Sequence, residues 1–170
     1  MSESYAEDAP RTASSGFLII ALGSVVAVIL LILAFTYNAS RSGRIAGLYT
    51  AVAGPANQAL TAEVAAYHRD QRTSLTAAKA DLAKLIDTAT TFDAGVVAVS
   101  FPGNASHAAA RLVNADRARI KLFRQQAKAT TLRQLRSFNR RDQAANALVA
   151  AQAQQTRLAL ALPAASGQQY

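Results

Sequence analysis

Residues 17–35 read FLIIALGSVVAVILLILAF, nineteen positions without a charge in which Ser24 is the one polar side chain. As a helix rising 1.5 Å per residue this run covers roughly 28 Å, close to the roughly 30 Å hydrocarbon core of a bilayer. A helix satisfies its own backbone polar groups, which lipid cannot do. The run therefore predicts one membrane-spanning helix over 17–37, with Phe17 at one interface and Tyr37 at the other. The competing reading, a helix buried in a soluble core, fits less well, because such helices seldom run this long without a charge. A cleaved signal peptide is disfavoured too. The preceding flank carries Glu3, Glu7 and Asp8 against Arg11, and no small-x-small cleavage site follows.

Outward from this run the 170-residue chain reads as one anchor and one small all-α domain. Alanine is abundant, aromatics make up 6%, and Gly and Pro gather at a few points, a composition that favours helix. With no cysteine there is no disulfide framework, thiolate metal site or thiol nucleophile. The charge is uneven: residues 1–16 carry a net −2 and the remainder +10, for a total of +8. Residues 1–16 are polar and acidic and are expected to be disordered, with Ser14 or Ser15 capping the helix that follows. Arg11 on one side and Arg41 and Arg44 on the other leave the positive-inside rule nearly silent on orientation.

After the anchor, Ile45, Leu48, Tyr49 and Val52 share one helical face and predict an amphipathic stalk over 38–54. Gly43 and Gly47 have GxxxG spacing and are candidates for helix packing near the membrane. Gly54-Pro55 is expected to break the stalk and open a helix over 55–100, kinked near 69–74 if the bundle has four helices rather than three. Leu60, Val64, Tyr67, Leu75, Ala78, Leu82 and Leu85 keep to its inner side, and Phe92, Val96 and Val99 continue the phase. Pro102-Gly103-Asn104 marks a turn, with Asn104 or Ser106 as cap of a helix over 104–129. Leu112, Ile120 and Phe123 form its apolar side. Past Thr130 that side slips by one residue to Leu132, Leu135 and Phe138, and Thr131 with Gln134 has the form of a capping box opening a helix over 131–160. Residues 163–170 are expected to fray. The fold predicted for 55–162 is an antiparallel three- or four-helix bundle. Its alanine-rich seam buries little area at about 25 cal/mol per Å², so a partner protein is expected.

No motif points to catalysis. His68 and His107 lack a second ligand at helical spacing, the carboxylates are scattered, and there is no phosphate loop or nucleophile elbow. No enzyme activity, cofactor or metal is expected. Ten basic residues fall between Arg111 and Arg141, with Asp116 the single acid among them. Within that window Arg117, Lys121, Arg124 and Lys128 stack along one helix edge, followed by Arg133, Arg136 and Arg140. These seven are candidates for an anion- or partner-facing surface, set against the plainer reading of a solvated face that keeps the bundle in solution. Aromatic interleaving is poor, which disfavours nucleic acid.

The stretches TFDAGVVAVSFPGNASHAAARL at 91–112 and RLALALP at 157–163 resemble those of uncharacterised single-pass membrane proteins and lipoproteins of actinobacteria, in which an Ala/Arg-rich helical domain lies outside the cytoplasmic membrane. The domain also looks distantly like the four-helix sensor domains of bacterial chemoreceptors, without their second membrane helix and signalling region. The first resemblance implies an N-terminus inside the cell and the bundle in the periplasmic space. It transfers no catalytic residue. Three functions follow in order: a non-catalytic accessory subunit of a membrane complex such as a lipid transporter or respiratory assembly, a membrane-tethered module that binds a ligand or anionic lipid, and a polyanion tether.

Overall fold

The computed structural model describes the backbone of residues 15–163 and the side chains of 41–163. Expectations for residues 1–14, for the side chains of the 17–37 run and for 164–170 lie outside the described residues. Two compact units divide the chain, residues 1–40 and 41–170. Among the described residues every element is a helix: α1 (Ser15–Asp70), α2 (Leu75–Ala98), α3 (Gly103–Gln126), the short α4 (Leu132–Arg136) and α5 (Asn139–Ala159). No helix of the described residues is long and apolar enough to cross a membrane.

The second unit is an antiparallel bundle of four long helices, from α1 after residue 40 through α2 and α3 to α5. Partner numbers on α5 fall as those on α3 rise: Arg111 reaches Gln152, Arg119 reaches Asn146 and Gln126 reaches Asp142. Likewise Thr88 of α2 donates to Glu63 of α1 at 2.9 Å, while Gly95, later in α2, lies against Val52, earlier in α1. The apolar core is in two clusters. One joins Ile45, Tyr49 and Ala53 of α1 to Phe92, Val96, Leu112, Val113 and Val149. The other, at the opposite end, joins Leu60 and Tyr67 to Ala78, Leu82, Leu85, Phe123 and Leu135.

Several predicted boundaries move. The helix expected over 55–100 is two helices: α1 ends at Asp70 and α2 opens at Leu75, where Ser74 accepts from the Ala77 amide at 3.2 Å. This settles the bundle on four long helices. The break expected at Gly54-Pro55 is absent, and α1 runs through it. Proline there forfeits one backbone bond and costs about 3 kcal/mol in a free helix. Buried Tyr49, Ala53 and Leu60 pack on either side of it and hold the helix together. Leu48, expected on the inner face, is 50% exposed. Neither Asn104 nor Ser106 caps α3. Pro102 occupies the cap without a side-chain bond, and Gly103, at φ +46°, takes a conformation that a Cβ would strain. The helix expected over 131–160 is split into α4 and α5. Thr131 caps α4 as expected, accepting from the Gln134 amide at 3.1 Å, but the Gln134 side chain reaches back to the amide of Thr130, not Thr131.

Gly95 lies where α2 packs tightly on α1. A Cβ there would lie 2.6 Å from Cγ1 of Val52. Valine is stiff at χ1 in a helix, so it yields poorly. Substituting Gly95→Ala should therefore couple to Val52. In the Val52→Ala background it should stabilise by the helix-propensity gain of about 1 kcal/mol. In the wild-type background part or all of that gain should vanish. A double-mutant cycle by thermal denaturation measures the coupling, and additive effects would show the contact is slack.

Candidate functional site

The basic residues singled out from the sequence are placed outward. Arg117, Lys121, Arg124 and Lys128 are all exposed on α3 and just beyond its end, and Arg133, Arg136 and Arg140 are exposed on α4 and the start of α5. The first four form one edge. The other three belong to the corner after α3, where Arg141 donates to Gln125 at 3.4 Å and its guanidinium lies 5.3 Å from the centre of the Phe138 ring. Among the described residues, none beyond their own helix turns lies within 4 Å of where a side chain at Gly43 or Gly47 would start. His107 is exposed. His68 is exposed too. Its Nδ1 is 2.6 Å from Nε2 of Gln71, and partial burial and then the nearby Arg72 lower its pKa. Among the described residues no cluster of His, Asp and Glu is placed to hold a metal ion.

One member of the basic window turns inward. Arg119 is 4% exposed and meets the fully buried Asp116 one turn away, Nη2 to Oδ1, at 2.5 Å. Its Nη1 donates to Asn146 of α5 at 3.4 Å, and its guanidinium carbon lies 5.8 Å from the centre of the Phe123 ring. From α2, buried Asp93 comes into hydrogen-bonding contact with Asp116 and also lies 3.7 Å from Nε of Arg117. Two carboxyl groups in such contact require a proton between them. Burial, then the charge of Asp116 and the bond to it, push the Asp93 pKa up to about 7, against the pull of Arg117 and Arg119. Burial also raises Asp116, partly offset by Arg119. The bundle thus buries an Arg–carboxylate pair on α3 with a second carboxyl, Asp93, brought to it from α2.

A second buried chain lies toward the α4 end. The Tyr67 hydroxyl donates to Gln126 Oε1 at 3.0 Å, and Gln126 Nε2 donates to Asp142. Burial raises Asp142 to about 6, with Gln126 and Arg141 pulling it down. The surface pair Arg69–Asp70 at 2.8 Å contributes little, and Lys84 reaches from the surface to buried Asp81 at 3.2 Å.

Between α2 and α3 a trough is open to the surface in two sections that share Val97 and Arg117. One section, of about 410 Å³, is walled by Val99, Phe101, Ala109 and Val113. The other, of about 490 Å³, is walled by Asp93, Ile120 and Arg124. A separate apolar groove of about 500 Å³ runs between α1 and α2 along Ala51, Pro55, Ala59 and Phe92. The chain has no match among protein-family models, curated proteins or solved structures.

Breaking the interior pair from one side should be severe. Arg119→Leu leaves Asp116 buried without its cation and should cost about 3–5 kcal/mol, read as the shift in denaturant midpoint. Asp116→Leu with Arg119→Leu removes both charges and should recover much of that loss.

The raised carboxyls also fix a pH dependence. Asp93 and Asp142 bind protons in the folded chain up to about pH 7 and about pH 6, but only to about pH 4 when unfolded. Their contribution is fully present below the unfolded value and is lost as pH rises through the folded ones. Stability should therefore fall from about pH 4 to about pH 7. Asp93→Asn should flatten part of this fall and melt above the wild type at pH 8. Comparing the two chains cancels the opposite contribution of His68. Parallel curves would place the shared proton elsewhere.

Proposed function

We propose that the chain is a non-catalytic accessory subunit of a larger membrane complex, anchored by residues 17–37 as a single membrane-spanning helix, with the bundle outside the cytoplasm bracing an extracytoplasmic part of the assembly. The observation that carries this reading is the open side of α1 immediately after the apolar run. Gly43 and Gly47 have no neighbour there among the described residues, and Leu48 stands half exposed beside them. Small residues at this spacing let a second helix come close along its backbone. The composition of the core supports the same reading. Alanine supplies many of its buried positions, among them Ala78, Ala89, Ala105, Ala108 and Ala109. Each contributes little apolar area, so a bundle of this kind gains from further burial against a partner.

The test uses the full chain, tagged and extracted from its native membrane in mild detergent. A stoichiometric partner should co-purify. Gly47→Leu should abolish that association while the isolated chain melts as the wild type, because no described residue fills the space at Gly47. Recovery of wild-type protein as a free monomer, or association indifferent to Gly47→Leu, defeats the reading. Protease access to the bundle in spheroplasts but not in intact cells is the expected result for an extracytoplasmic domain.

A further inference from the structure

From Gly103 to Pro163 the sequence carries eleven Lys and Arg against two Asp. Both acids, Asp116 and Asp142, are buried, so the outer surface of α3, α4 and α5 presents no acid. Six of its cations are exposed and form no ion pair with any described residue: Lys121, Arg124, Lys128, Arg133, Arg136 and Arg140. The acids of α2 are engaged or face elsewhere. Asp93 turns to Asp116 and Arg117, Asp81 meets Lys84, and Asp87 lines the groove toward α1. A face that serves solubility alone mixes both signs. Here Arg117 with Lys121, Lys121 with Arg124, and Arg133 with Arg136 stand three or four residues apart within a helix, a spacing at which like charges destabilise it. An acidic partner removes that repulsion.

We propose that this face docks an acidic helix of a partner protein, whose carboxylates meet Lys121, Arg124 and Lys128 in turn, while Arg133, Arg136 and Arg140 at the corner take acids beyond its end. Lys121, Arg124 and Lys128 are three and four residues apart, rises of about 4.5 and about 6 Å. A helix laid alongside repeats those rises in its own side chains, as charged flanks do in coiled coils. The face offers charge and little else. The exposed large apolar side chains of the described residues are Leu48, Val97, Leu148 and Leu158, none of them between Lys121 and Arg140. Surface attachment to a bilayer uses buried apolar area as well as charge, and single-stranded nucleic acid is held on exposed aromatic rings. Phe123 is buried, and Phe138 is half-buried with the Arg141 guanidinium 5.3 Å from its ring centre. Four of the six cations are arginine, whose planar fork donates two parallel bonds to a carboxylate. Arginine is also the cation enriched in protein interfaces, where lysine is depleted. The proposal does not rest on the accessory-subunit reading, whose contact is at Gly43 and Gly47, and it holds on either side of a membrane.

The full chain, alone in phosphatidylcholine nanodiscs, is titrated with a fluorescent alanine-rich helical peptide carrying Glu alternately three and four residues apart. A second peptide of the same composition spreads its Glu residues evenly around the helix. Saturable binding of the first is expected, at least tenfold tighter than of the second, and weakened at least tenfold between about 50 and about 300 mM NaCl. Lys121→Gln with Arg124→Gln should weaken it at least fivefold, with melting curves to check that the bundle persists. Lys121→Glu with Arg124→Glu and Lys128→Glu should abolish it and bind instead a peptide with Lys at the Glu positions, a gain that loss of fold does not produce. In native membranes a carbodiimide, which joins an amine directly to a carboxyl, should join Lys121 or Lys128 to Asp or Glu of another polypeptide. Equal binding of the two peptides, binding unchanged in the Gln variant, or carbodiimide products at Lys79 and not at Lys121 or Lys128 overturns the proposal. Displacement of the labelled peptide by phosphatidylglycerol vesicles or a DNA duplex, at lower charge concentration than by unlabelled peptide, overturns the assignment to a protein.

Discussion

Asp116 and Arg119 form a buried ion pair, and three helices of the bundle bring polar groups to it. Removing two charges from water costs several kcal/mol per ion, recovered only if partners are well placed. The partners come from three helices: Asp93 from α2, Asn146 from α5 and the pair itself from α3. A slide of α5 against α3 by one turn would part Arg119 from Asn146. A slide of α2 would part Asp93 from Asp116. An alanine-rich seam has little shape of its own to forbid such slides. The polar layer, together with the Tyr67–Gln126–Asp142 chain that ties α1 to α3 and α5, specifies the register that small apolar side chains leave open.

The same layer shows what could be read from the residues and what could not. Helical class, the inward set from Leu60 to Leu85, the turn at Pro102-Gly103 and the cap at Thr131 follow from periodicity and local chemistry, which act over a few residues. The outward placement of Arg117, Lys121, Arg124 and Lys128 follows from the same arithmetic. Arg119 does not, because a window crowded with arginines reads as a solvated face. A signal was present: Leu112, Asp116, Arg119 and Phe123 fall at i, i+4, i+7 and i+11, so the acid and the base share the apolar stripe. Asp93 likewise sits in phase with Ala89, Phe92 and Val96. The continuity of α1 through Pro55 was hidden for another reason. Proline's local penalty is visible in the sequence, but the packing of Tyr49, Ala53 and Leu60 that outweighs it is tertiary.

Two surfaces follow from how little of each helix the core consumes. One is the side of α1 at Gly43, Gly47 and Leu48. The other is the α2–α3 trough, whose two sections meet at Val97 and Arg117. They lie on different helices and make different demands. The first has small residues at Gly43 and Gly47, with exposed Arg44 and Leu48 beside them. The second sets Arg117 and Arg124 beside Asp93.

The division of the apolar core by a charged layer has a consequence for breathing motions. Ile45, Tyr49, Phe92 and Val149 cohere at one end, and Leu60, Leu82, Phe123 and Leu135 at the other. Each end can open as its own cooperative unit before the whole domain unravels. Amides of the first turns after residue 41 should then exchange with solvent on a different clock from those around Leu82. A force applied through the N-terminal segment would be spent on loosening the near half, while the far half kept its shape.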